Sequence, residues 1–143
     1  RKKMTIEEVQ QQIIDEFSVY TDWMDKYGYL IELGNELKEL DPKEKTDQNL
    51  IKGCQSRVWL VAEMNDGIIN FRGESDAVIV KGLVALLLRV VTGRTPKELI
   101  ENDLHVIDDL GLKQHLSPTR SNGLLAMVKQ IRLYAVAYNK MAG

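Results

Sequence analysis

From Ala77 to Val91 the chain carries Val78, Ile79, Val80, Leu83, Val84, Leu86, Leu87, Leu88 and Val91, apolar side chains that point nearly all the way round a helix. A helix of that kind has no solvent face, so it is expected to be the buried central helix of the molecule. It is not suited to crossing a bilayer. A span needs about 20 predominantly apolar residues, and Lys81 and Arg89 interrupt this shorter run. Ser75 or Asp76 is placed to cap its start, and Gly93 follows its expected end near Thr92. With 143 residues the chain is long enough to bury such a helix within one domain, residues 1–143.

The remainder reads as amphipathic pieces. Thr5-Ile6-Glu7-Glu8 is a capping box, after which Ile6, Val9, Ile13 and Phe17 recur at helical spacing. A second helix from about Asp22 shows Trp23, Tyr27, Leu30, Ile31 and Leu37 on its inner side. Arg57 to Glu63 alternates, with Val58, Leu60 and Ala62 on one face and Trp59 and Val61 on the other. Both faces are apolar, so a strand covered on both sides is expected. Asn65-Asp66-Gly67 supplies a hairpin turn, and Ile68 to Arg72 returns with Ile69 and Phe71 inward. A third strand is expected near Asn49 to Ile51. Thr95-Pro96-Lys97-Glu98 opens another helix. The last helix, from Ser117-Pro118 to near Tyr138, has Leu124, Met127, Val128, Ile131, Ala135 and Tyr138 as its inner stripe.

The formal net charge is −2, with acidic and basic residues mixed along the chain. No basic stripe points to nucleic acid and no acidic tail to disorder. The opening residues RKKMTIEE lack the apolar core of a signal peptide, and a soluble, cytoplasmic chain away from the membrane is expected.

One residue offers unusual chemistry. Cys54 is the single cysteine and lies between Gly53 and Gln55, at the end of a long polar connection from Leu40 to Lys52. Connections of that length are commonly functional or mobile. A free thiol has a pKa of about 8.5, and nearby positive charge, from Lys52 and Arg57, raises its thiolate fraction. Gly53 permits a backbone conformation closed to other residues. A lone cysteine excludes an internal disulfide and fits a reducing compartment. Zinc sites need about four ligands and clusters several thiolates. Cys54, His105 and His115 show no ligand-type pairing, so no metal site within one chain is expected. A cysteine hydrolase would need a base such as His115. Sulfur transfer needs only one thiol on the acceptor, because the product is itself a persulfide.

The string Gly53-Cys54-Gln55-Ser56-Arg57-Val58-Trp59 resembles the sulfur-acceptor signature of the SufE family. Glu36-Leu37, the stretch Ser75 to Gly82, and His115-Leu116-Ser117-Pro118-Thr119-Arg120-Ser121 resemble that family in the same order, so the likeness runs from about Ile14 to the C-terminus. It implies an α+β fold, a small antiparallel sheet of about three strands flanked by helices and similar to iron–sulfur scaffold proteins. The element order above agrees with that. It also implies that Cys54 takes sulfane sulfur, as a persulfide, from a PLP-dependent cysteine desulfurase of the SufS type and passes it to an iron–sulfur scaffold complex. PLP would belong to the desulfurase, and no cofactor is expected on this chain. Asp76 and Arg120 correspond to family positions near the cysteine loop and the desulfurase contact. Gly53, Gln55, Ser56 and Arg57 are expected to shape the loop and its contact surface, with His115 and Lys81 as lesser candidates. Two alternatives stay open: a thiol-independent allosteric module for a desulfurase, and a cysteine-dependent hydrolase. Monomer and homodimer both remain compatible with the sequence.

Overall fold

The computed structural model describes residues 3–53 and 56–142; Cys54 and Gln55 lie outside the described residues. In chain order the elements are α1 (Ile6–Phe17), α2 (Trp23–Asn35), a 3-10 turn (Pro42–Glu44), β1 (Val58–Asn65), β2 (Ile68–Ser75), α3 (Val78–Val91), α4 (Pro96–Glu101), α5 (Val106–Asp109), α6 (Leu112–His115) and α7 (Pro118–Ala142). The architecture is α+β, as expected.

The apolar run forms α3, and it is central: Leu83, Val84, Leu86, Leu87, Val90 and Val91 are all buried. Helices α1 and α2 and strand β2 pack around it. The seam with α2 is unusually close because two glycines meet there. A Cβ on Gly82 would lie 2.2 Å from the Leu30 carbonyl oxygen, and one on Gly34 would lie 2.8 Å from the Gly82 nitrogen. Arg89, the charge near the end of α3, reaches the carboxylate of Glu16 on α1 with both guanidinium nitrogens, and the Tyr29 hydroxyl donates to the same carboxylate. The hydrogen bonds from Arg89 hold Glu16 below the usual carboxylate range, while burial pushes Tyr29 up to about 12.

Both capping boxes form, with Thr5 and Glu8 starting α1 and Thr95 and Glu98 starting α4. The stripe Ile6, Val9, Ile13 and Phe17 is buried. On α2 only Leu30 and Gly34 are fully buried; Trp23, Tyr27 and Leu37 pack against the core edge, and Leu37 falls beyond the helix end at Asn35. Helix α7 buries Leu124, Met127, Ile131 and Ala135 and continues past Tyr138.

The hairpin turns at Asp66 and Gly67, whose φ values of 52° and 83° are those of the turn type that matches strand twist. Its register runs from Val58 opposite Ser75 to Asn65 opposite Ile68. Three expectations change. Among the described residues the sheet has two strands, and the third expected strand is a single bridge, Leu50 to Trp59. Strand β1 is buried at Val58 and Leu60 but only half-covered at Trp59 and Val61, so it is not enclosed on both faces. Neither Ser75 nor Asp76 caps α3 in the expected way: the N-cap position is Ala77, whose own amide donates to the Ser75 hydroxyl at 3.2 Å, and Asp76 bonds elsewhere. No described helix is long and apolar enough to cross a membrane.

Candidate functional site

The segment carrying Cys54 leaves and re-enters the body at two hydrogen-bonded points. Ile51, buried, donates its amide to the Val58 carbonyl at 2.8 Å, and Leu60 donates to Asn49 at 2.9 Å. These two bonds close the base of the loop between Ile51 and Val58. On the near side Gly53 has φ +92°, a conformation that a residue with a Cβ adopts only under strain. A Cβ added there would lie 3.7 Å from the Ala126 Cβ on α7.

Asp76 secures the far side. Its backbone amide donates to the Arg57 carbonyl at 3.3 Å, continuing the hairpin ladder, while its carboxylate accepts the Arg57 amide at 3.0 Å. The carboxylate substitutes for a strand partner at the point where pairing ends. The sequence reading of Asp76 as a helix cap fails because the ladder runs one residue farther than Ser75 and claims it first.

The connection from Leu40 to Lys52 is pinned rather than loose. Leu40 is buried, and its amide donates to Glu74 at 2.8 Å; Lys45 pairs with the other Glu74 oxygen at 2.6 Å. Burial pushes Glu74 up, but the hydrogen bonds from Lys45 and the Leu40 amide outweigh it and hold the carboxyl below its ordinary value. The positive charge of Lys81 adds to this lowering. Asn49 ties the connection to itself through the Glu44 carbonyl at 2.8 Å.

The other candidates sit as follows. Ser56 is half-buried and the Arg57 side chain is exposed. Arg120 is exposed on the first turn of α7, and its amide donates to the Ser117 hydroxyl at 3.3 Å. His115 stacks on the Trp23 indole with ring centroids 3.7 Å apart, and its carbonyl accepts from Tyr27 at 2.6 Å. His105 bonds to Glu7 of α1 and to Asp109 of α5 instead. The structure thus joins Arg57 to Asp76 at the loop base and engages His115 with α2.

One feature was missed. An open groove of about 720 Å³ runs beside the loop base between residues 47–52 and α7, with Leu60, Ala126, Lys129, Gln130, Leu133 and Tyr134 along its walls. Its apolar and basic residues are spaced on α7 as ordinary outward positions, so only the apposition of the two walls reveals it.

Residues 11–135 match the SufE Fe-S metabolism associated domain. The chain belongs to the SufE family. It is 42% identical over 126 residues to an uncharacterised SufE-like protein of Rhizobium meliloti, an alignment covering 85% of this chain and 90% of that protein. In three dimensions this SufE-family chain is similar to the solution structure of a hypothetical protein from Thermus thermophilus, with a TM-score of 0.73 at 18% identity over 90% of this chain and 94% of that one. At that identity the likeness concerns the fold.

Proposed function

We propose that this SufE-family chain is a sulfur acceptor and activator of a PLP-dependent cysteine desulfurase, with Cys54 as the persulfide-carrying residue and an iron–sulfur assembly scaffold as the onward recipient. The observation that carries this reading is the family match across residues 11–135, within which Cys54 is the only thiol. The setting supports it: a loop with a closed base, entered through a positive-φ glycine and left through the Asp76 clamp on Arg57. In the reaction the Cys54 thiolate attacks the terminal sulfur of a persulfide on the desulfurase. A new S–S bond forms at Cys54 as the donor S–S bond breaks, and the donor cysteine leaves as a thiolate. The proton on the terminal sulfur travels with it, so no oxidant or reductant is consumed. Gly53, Gln55, Ser56 and Arg57 shape the loop, Asp76 positions its exit, and Arg120 belongs to the partner contact, with His115 and Lys81 in supporting places. The work is done in a reducing cytosol, where a lone thiol stays unpaired.

The test is intact-mass analysis after incubation with a desulfurase and L-cysteine. The expected result is a gain of one sulfur atom, located on Cys54 and lost in Cys54→Ser. A Cys54→Ser chain that still stimulates sulfide release without added reductant would sink the carrier role and leave an allosteric module in its place.

A further inference from the structure

Helix α7 contains Arg120, Lys129, Arg132 and Lys140 and not one Asp or Glu, in a chain whose acidic residues outnumber its lysines and arginines. Charge that is mixed along the rest of the sequence is therefore of one sign on this helix. Arg132 is paired with Asp103, whereas Lys129 and Lys140 are exposed. The same outward face carries exposed apolar side chains: Leu125 is 48% exposed, Leu133 51% and Val136 42%. Positions 125, 129, 133, 136 and 140 recur at helical spacing, so they form one stripe of alternating apolar and basic character.

This stripe is continuous with the groove. Lys129 and Leu133 belong to both, Lys52 stands on the facing wall, and Asp47 is the one carboxylate among the groove residues. A Cβ placed on Gly53, one residue before Cys54 in the chain, would lie 3.7 Å from that of the wall residue Ala126. A protein that brings a sulfur atom into bonding distance of Cys54 has to approach the loop base, and this groove, lined in part by Ile51 and Lys52, borders that base.

We infer that the α7 stripe and its groove are the docking surface for the sulfur-donating desulfurase, which meets them with an apolar ridge bordered by carboxylates. This rests on the reading of Cys54 as acceptor. Basic rims of this kind chiefly steer encounter and set salt dependence, while the apolar centre slows dissociation.

The experiment measures binding of the full-length chain to the source organism's PLP-dependent cysteine desulfurase by calorimetry at two salt concentrations. Lys129→Glu and Leu133→Asp are each expected to weaken binding at least fivefold, and Lys129→Glu to flatten the salt dependence. Lys129→Arg is expected to bind as the parent does, as is Lys38→Glu, an equal charge change on a different surface. Thermal midpoints within a few degrees of the parent establish that the variants are folded, as the exposure of both positions leads one to expect. Unchanged binding in both folded variants overturns the proposal, as does a parent chain that does not bind the desulfurase. Loss of the stripe's effect on the desulfurase together with loss of binding to anionic phosphatidylserine vesicles would assign the face to a membrane and overturn it equally. Binding that depends on the stripe while Cys54 never gains sulfur supports the surface and refutes the acceptor reading, so the two fail separately.

Discussion

Replacing Gly82 by alanine sets two effects of opposite sign against each other, and the distances decide which wins. Alanine is about 1 kcal/mol better than glycine in a helix interior, and Gly82 lies mid-helix in α3. Against that, the new Cβ would stand 2.2 Å from the Leu30 carbonyl oxygen and 2.8 Å from the Leu30 Cγ. A carbon–oxygen contact relaxes only near about 3.3 Å, so the two helices have to separate by roughly 1 Å. Rotamer change cannot relieve it, since the first obstacle is backbone. A gap of that size forfeits between a quarter and a half of each dispersion contact along the seam, and overpacking alone typically costs about 1–3 kcal/mol. The expected net loss is about 2–3 kcal/mol, which for a chain of this size lowers the thermal midpoint by roughly 4–12 °C. Gly28→Ala is the internal control. It lies on α2 with nothing within 4 Å of the added Cβ, so the same substitution should gain up to about 1 kcal/mol there. Thermal and urea unfolding of both variants test the pair. A Gly82→Ala chain as stable as its parent would refute the close-approach reasoning outright.

Gln10 is fully buried and accepts from the amides of His105 and Val106 at 2.8 and 3.0 Å while donating to the Asp103 carbonyl at 3.0 Å. Gln10→Leu should cost about 2–4 kcal/mol through stranded buried amides, with faster hydrogen exchange at His105 and Val106 as its signature; unaltered exchange there would count against it. His105 has its pKa raised, first by the hydrogen bond with Glu7 and then by that with Asp109. A raised folded-state value contributes stability that is fully present below the unfolded value of about 6.5 and is lost as pH rises through the folded value above it. His105→Gln should therefore lower stability at pH 6, by about 1 kcal/mol or less given the exposure of the cluster, and match the parent at pH 9; an equal deficit at both would refute the linkage. Asp76→Ala should release the Arg57 amide and change the rate at which iodoacetamide alkylates Cys54, with Asp76→Asn, which keeps an acceptor oxygen, staying near the parent rate. Equal rates in all three chains would remove Asp76 from the loop's support.

What could be read in the letters was what local periodicity records. The stripes of α1 and α7, the all-round apolarity of α3 and the Asp66-Gly67 turn each depend on neighbours within a few residues, and each appears where the spacing places it. The α2–α3 contact was illegible because a glycine's absence of side chain has meaning only against a partner, and Gly34 finds Gly82 far along the chain. Gln10 looks like any helical glutamine until the backbone of residues 103–106 closes over it. The polar stretch from Leu40 to Lys52 suggested looseness because its anchors are remote: the Leu40 amide is held by Glu74. Buried Leu40 and Ile51 were the local sign that this connection is tethered.

Those anchors share an origin that bears on how the site works. Glu74 and Asp76 are two residues apart at the end of β2, and side chains at that spacing leave a strand on the same side. One carboxylate takes the amide of Leu40, where the connection begins, and the other takes the amide of Arg57, where it ends. Strand β2 is itself fixed against α3, for a Cβ on Gly73 would already stand 3.0 Å from Val84. The core thus dictates where the loop base lies. From Ile51, three residues fully extended reach at most about 10 Å, which bounds the distance from the Ile51 Cα to that of Cys54 whatever path the loop takes. On the proposed acceptor role of Cys54, a donor sulfur has to be brought almost to the body of the protein. Transfer at such a site calls for a partner surface laid closely over the loop base and the flanking groove, and it disfavours a thiol that swings out to meet a distant donor.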